Sequence, residues 1–181
     1  MDLVLLRPGK ADAIVGASHI EGPINGVKPD DLKTCIELVS VNYGMKQQMT
    51  TDVSNQARTS GRPVLHDITC VKYFDIASVN LYKTCLGAGT LDDGSADNPT
   101  RIYICRNTNE GQISNLMTIE LNNTMISSIQ CQSHPNDMPT EQLTLNFSDV
   151  TWIYTNQDLQ AAATGNVSFG WSVQKNRPMG G

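Results

Sequence analysis

An all-β fold with one short helix is predicted, and three observations predict it. Stretches of β-branched and aromatic residues recur along the 181-residue chain, Gly, Asn, Asp and Pro separate them, and a period of two runs through most of them. Residues 2–7 form the first strand, followed by a Gly- and Pro-punctuated stretch over 8–30. Residues 35–43 are the second strand and 65–74 the third. Residues 100–107 and 115–121 flank Asn109-Glu110-Gly111, a turn signal, and so read as a hairpin. A further antiparallel neighbour at 124–132 connects through Asn122-Asn123, before His134-Pro135-Asn136-Asp137 breaks the chain. The last strands span 141–154, bent or bulged around Ser148-Asp149, and 169–174. Between the third strand and the strand at 100–107, residues 78–86 carry Leu81, Tyr82, Cys85 and Leu86 at helical spacing, with Ser78 as N-cap and Gly87 as stop. Leu81 stands where a capping box needs Glu or Gln. Two loops are long, 44–63 and 91–99, and a long polar loop in a compact domain calls for a functional explanation.

Composition excludes several classes of function. With 13 basic and 18 acidic side chains the net charge is −5, and no Lys/Arg cluster offers a partner surface to nucleic acid or to an acidic membrane. Apolar runs such as residues 3–6 fall far short of the roughly 20 residues of a spanning helix. No charged-then-apolar leader opens the chain, so synthesis in the cytosol without membrane insertion is expected. The five cysteines (Cys35, Cys70, Cys85, Cys105, Cys131) are then expected as reduced thiols that pack as small apolar groups. One domain covering 1–181 accounts for the length.

No motif points to catalysis. Gly87-Ala88-Gly89-Thr90 follows a helix, where a nucleotide fingerprint follows a strand, and Pro8-Gly9-Lys10 lacks the rest of a phosphate loop. His66 and Cys70 lie about 13 Å apart along an extended strand, too far for one tetrahedral zinc. Cys131 and His134 supply only two ligands. Asp92, Asp93 and Asp97 lack the spacing of a calcium loop and read as a solvated turn. With no GxSxG elbow and no context activating the three histidines, neither catalytic residue, cofactor nor metal is expected.

A succession of motifs carries a family resemblance. Gly44-Met45-Lys46-Gln47, a polar loop ending at Ser60-Gly61, Val64-Leu65-His66-Asp67, Val71-Lys72-Tyr73-Phe74-Asp75 and Ser78-Val79-Asn80-Leu81 resemble the haemolysin-coregulated protein (Hcp) family, the inner-tube proteins of type VI secretion systems. Residues 140–147, with Glu141, and the closing Gly170-Trp171 and Asn176 resemble that family's late strand and its Gly-Trp-x-x-x-x-Asn ending. Near the start, Ile14-Val15-Gly16-Ala17-Ser18 is similar to its Ile-x-Gly-x-Ser turn. Residues 19–33 look longer than the usual connection, and Val79 stands where a helix-start Pro is common.

The resemblance implies a small β-barrel of two antiparallel sheets with one helix, assembling as a hexameric ring and stacking into a tube. It implies structural roles for Lys72, Tyr73, Asp75, Ser78, Asn80, Leu81, Glu141, Gly170, Trp171 and Asn176. The 44–61 loop, with Gly44, Met45, Gln47, Val53, Ser54, Asn55, Gln56, Arg58 and Gly61, is expected to reach a neighbouring subunit or ring, its glycines sitting where other residues clash. Implied partners are other copies of the chain, type VI effectors in the lumen, and the sheath and spike. The implied location is the bacterial cytoplasm, then the exterior or a target cell. The tail at 177–181 leaves no room for an appended toxic domain. A wet lumen requires a sheet face of small polar groups, which 124–132 supplies imperfectly. Six chains of −5 carry about thirty negative charges per ring, which makes stacking salt-sensitive. Two alternatives stay open: a phage-tail-like tube of another contractile injection system, and a monomeric ligand-binding β-barrel.

Overall fold

Alternation along each long strand sends one set of side chains into a shared core. The computed structural model describes residues 3–10, 13–16, 18, 20, 22–49, 61–107, 112–157 and 163–179. Its elements begin with β1 (Leu3–Arg7), β2 (Ile24–Asn25), α1 (Pro29–Leu32), β3 (Ile36–Leu38), β4 (Ser40–Asn42), β5 (Met45–Lys46), β6 (Val64–Leu65) and β7 (Ile68–Tyr73). They continue with α2 (Ser78–Leu86), β8 (Thr100–Asn107), β9 (Ile113–Asn122), β10 (Met125–Gln132), β11 (Thr140–Asn146), β12 (Asp149–Gln157), β13 (Ala163–Ser172) and β14 (Arg177–Pro178). An eight-stranded sheet runs β14-β13-β12-β9-β8-β1-β3, with β2 beside β9. A four-stranded sheet runs β10-β11-β7-β4, and β5 pairs with β6. The main core lies between the two larger sheets: Leu6, Ile102, Ile119, Leu121 and Val150 from one meet Ile68, Cys70, Leu143 and Leu145 from the other, with Leu81 of α2.

Three expected continuous or paired stretches are instead crossings between sheets. Residues 35–43 divide at Val39: β3 pairs with β1 in the large sheet and β4 with β7 in the small one. Residues 141–154 divide in the same way, β11 pairing with β7 and β12 with β9 and β13. The expected β9–β10 hairpin does not form, because the chain crosses at Asn122–Asn123, Asn123 taking φ 52°, and β10 pairs with β11. Such corners let one chain wrap two sheets around one core. The β8–β9 pairing is present, with its turn at 108–111 outside the described residues. β13 starts at Ala163, earlier than the expected 169.

A second helix, the four-residue α1, lies in the long connection and covers the outer face of the large sheet. There Leu5, Ile24, Val27, Leu32, Cys35, Tyr103 and Cys105 form a second small core. Asp31 fastens it, pairing with Arg7 Nε at 2.7 Å and accepting the Tyr103 hydroxyl at 3.0 Å. Burial, and then the Asp31 carboxylate, push the Tyr103 hydroxyl pKa up. Burial likewise pushes Cys35, Cys70 and Cys105 up to about 12, so these thiols stay protonated at neutral pH.

The ends of α2 differ from expectation in an instructive way. Ser78 is not the cap; the capping arrangement sits one turn earlier, where Asp75 Oδ1 accepts the Ala77 N–H at 2.9 Å and Ser78 Oγ accepts the Asp75 N–H at 3.1 Å. At the other end Gly87 has φ −82°, and the left-handed residue is Ala88 at φ 49°. Gly89 N–H bonds Thr84 C=O and Ala88 N–H bonds Cys85 C=O, a Schellman motif with Ala where Gly is preferred. Ala88→Gly is therefore expected to stabilise the fold by roughly 0.5–1 kcal/mol, read as a rise in urea midpoint at constant m-value.

Candidate functional site

Strand parity brings Lys72 and Glu141 together, and Asp75 and Ser78 at the start of α2 join them in one polar cluster. In β7 Lys72 shares the inward face with Ile68 and Cys70; in β11 Glu141 shares it with Leu143 and Leu145. Lys72 and Glu141 face each other in the ladder, and both side chains are fully buried. Lys72 Nζ lies 2.9 Å from Glu141 Oε2, 2.8 Å from Asp75 Oδ1, 3.0 Å from Ser78 Oγ and 2.8 Å from the Tyr73 carbonyl. Ser78 Oγ also donates to Glu141 Oε2 at 3.0 Å, while Tyr82 donates its hydroxyl to Glu141 Oε1. Tyr82 OH lies 3.3 Å from Cys131 Sγ; burial and these two partners push its pKa up. A buried ammonium with four oxygen partners is saturated, and the cluster's product is geometry: it holds the start of α2 against β7 and β11. Leu81 seats the same helix in the core, whereas Asn80 and the Tyr73 side chain are exposed.

The closing motif is equally structural. A Cβ on Gly170 would meet Met179 Cε at 2.7 Å, and Gly170 accepts the Met179 N–H at 3.0 Å, so the bare glycine lets the last segment lie against β13. Trp171 packs half-buried on the main core, and Asn176 takes φ 50° in the turn before β14. Gly16 has the same close-approach logic, since a Cβ there would overlap the Cys35 carbonyl.

Of the loop residues, Gly44, Met45, Gln47 and Gly61 are described, while Val53, Ser54, Asn55, Gln56 and Arg58 lie outside the described residues. The stem is a hairpin: Met45 pairs with Leu65, Lys46 with Val64, and Gly61 N–H bonds Gln48 C=O at 2.6 Å. Met45, Met49 and Val64 are exposed. Gly61 is crowded by Gln48 Cβ at 3.1 Å, but Gly44 is not: a Cβ there meets nothing closer than His66 at 3.8 Å. The expected steric need thus holds at one end only.

Asp92 is the residue that sequence reasoning placed wrongly. It is fully buried, and its carboxylate accepts the N–H groups of Gly94 (3.1 Å), Asn123 (3.0 Å) and Thr124 (2.8 Å) and the Thr100 hydroxyl (3.4 Å). It stitches the 91–99 loop to the crossing between sheets. Asp93 is exposed, and hydrogen bonds from Ser95 lower its pKa. Among the described residues no three His, Cys, Asp or Glu gather as metal ligands, and no helix is long and apolar enough to cross a membrane.

The outward face of the four-stranded sheet is mostly hydroxyls and amides. Ser40 and Asn42 of β4, Thr69 of β7, Thr140, Gln142, Thr144 and Asn146 of β11, and Ser128, Gln130 and Gln132 of β10 stand on it, with Val71 and Tyr73. Met125 of β10, opposite Asn146, stands on it too, and none of these strand positions is charged. The Asp67 carboxylate lies beside them and accepts hydrogen bonds from Asn146 Nδ2 and Ser127 Oγ, each at 2.8 Å.

The family model described as "Type VI secretion system effector, Hcp" matches residues 17–154. The chain belongs to the Hcp family. Hcp proteins assemble as hexameric rings and are secreted by type VI systems, so this chain is a type VI secretion tube protein. Its fold is similar to a solved type six secretion system protein at a TM-score of 0.79 and 21% identity, over 99% of this chain and 100% of that one. It is similar to Hcp1 from E. coli EAEC 042 at TM-score 0.66 and 19% identity (94% and 97% covered). Against Hcp1 from Salmonella typhimurium the values are 0.65 and 17% (98% and 99% covered). At these identities the structural likeness speaks for the fold alone. No curated protein sequence gives a significant match. In the fold Lys72, Asp75, Ser78 and Glu141 form one anchor, while Gly170, Trp171 and Asn176 lie beyond the matched residues.

Proposed function

We propose that six copies of this Hcp chain close a ring whose lumen carries effector proteins, and that rings stack into a tube expelled by a contracting sheath behind a spike. The hydroxyl- and amide-rich outward face of the four-stranded sheet carries this reading. A wall of hydroxyls and amides exchanges hydrogen bonds with a cargo surface or with water at little net cost, and its nearest charge, the Asp67 carboxylate, is already engaged by Asn146 and Ser127. Its action is assembly, ejection and release by ring dissociation, without a catalytic step. The β5–β6 hairpin, with its exposed Met45, Met49 and Val64, serves contact with the next ring. Assembly takes place in the bacterial cytoplasm, and the tube then leaves the cell.

Thiol labelling tests the lumen assignment. In a Cys131→Ser background, Gln142→Cys is expected to react in the assembled ring with a small maleimide but not with one carrying a polymer wider than the channel. Ser168→Cys, on the outward face of the large sheet, is expected to react with both. Equal reaction of Gln142→Cys with both reagents in the intact ring contradicts the assignment.

A further inference from the structure

The inner face of the large sheet runs past its own core along the β12–β13 hairpin. Val150, Trp152 and Tyr154 of β12 stand opposite Trp171, Phe169 and Val167 of β13. Val150 is fully buried and Trp152 and Trp171 pack on the main core, yet Tyr154, Phe169 and Val167 are 45%, 53% and 69% exposed. The same side-chain row thus changes from core to surface within three ladder steps. Its aromatics are already ordered: Trp152 and Phe169 stack with ring centroids 6.2 Å apart, and Phe169 and Trp171 lie at 6.4 Å. With whole aromatic side chains at about 150–250 Å² each, the uncovered strip comes to roughly 300 Å² of mostly apolar surface, the order of the largest apolar patch on a typical monomer, which is often functional.

A second apolar patch lies where α2 starts. Ile76 and Val79 are 73% and 72% exposed, Phe74 is 39% exposed, and the Phe74 N–H bonds the carbonyl of Pro139, the residue after exposed Met138, at 3.2 Å. The two patches belong to different elements and differ in composition, one a strip dominated by aromatic side chains and the other a mostly aliphatic knob with Phe74 at its edge. A ring requires such a pair, because a head-to-tail contact joins two unlike surfaces of the same chain.

We infer that the β12–β13 strip of one copy covers the Phe74–Ile76–Val79–Met138 knob of the next, and that this contact closes the ring. The inference deepens the ring reading above and rests on it. A second copy fits better than a transient partner for two reasons. The strip is continuous with the core and free of charge, as in obligate interfaces that resemble a core cut in two, whereas transient contacts are more polar and wet. The two patches also supply each other's occupant within one sequence.

Single charge insertions and their mixture test it. Val167→Asp and Ile76→Asp each alter an exposed side chain, so far-ultraviolet circular dichroism is expected to match wild type. By light scattering each alone is expected to lose the ring. Mixed one to one, they are expected to form a species of twice the chain mass and nothing larger, because each retains the patch that the other lacks. Val167→Lys, which reverses the inserted charge, is expected to lose the ring as well. Rings persisting in either Asp variant, or a mixture that stays monomeric, overturn the assignment while a wild-type ring leaves the tube reading standing. A wild type that is itself monomeric overturns both.

Discussion

Replacing Glu141 by Ala is expected to lower folding stability by about 3 kcal/mol, because the fully buried Lys72 ammonium loses its one fully buried carboxylate and keeps only the partly exposed Asp75. Lys72→Met strands the carboxylate instead and costs a similar amount. The double variant Lys72→Met/Glu141→Leu is expected to recover most of the loss, since a well-packed apolar pair of similar volume often matches a buried ion pair. Urea unfolding at fixed protein concentration measures all three, the concentration held because assembly adds its own linkage. A Glu141→Ala loss below about 1 kcal/mol contradicts the anchor, because water would then be reaching the ammonium. Ser78 and Asp75 share the same Nζ, so their substitutions will not add independently to these values.

Asp92→Ala carries the second large effect, expected at about 3 kcal/mol or more. The carboxylate accepts three backbone N–H groups and one hydroxyl, and its removal leaves the buried Thr124 N–H and its neighbours with no acceptor in place. Asp92→Asn keeps one acceptor and turns an amide donor toward N–H groups, so it is expected to recover at most half. Asp93→Ala, next along the chain but exposed, is expected to stay within about 0.5 kcal/mol. Equal urea midpoints for the Asp92 and Asp93 variants contradict the role given to Asp92.

The buried anchor was legible in the sequence, though only through strand parity. Ile68, Cys70 and Lys72 alternate with Thr69, Val71 and Tyr73, and Glu141 alternates with Leu143 and Leu145 in the same sense. A lysine and a glutamate at inward positions of two strands therefore need one another, whatever lies between them. The longer strands were legible for the same reason, whereas the two-residue β2, β5, β6 and β14 carry too little alternation to be read; α2 spans the residues its spacing predicted. Sheet membership was not, because single-residue corners such as Val39 leave apolar alternation nearly unbroken while changing the partner strand. Asp92 was hidden by its neighbours: three aspartates in one loop differ only in which meets the amides of Asn123 and Thr124, some thirty residues on. The β12–β13 strip was invisible for another reason, since Phe169 and Val167 have the parity of core residues and only the finished fold leaves them uncovered.

Light scattering of the purified chain, with negative-stain images of the same sample, tests the central claim most directly. The expected result is a particle of six chains, each of 19.7 kDa, seen end-on as a closed ring with an open centre. A monodisperse 19.7 kDa species with no rings, at micromolar concentration and low salt, would contradict it.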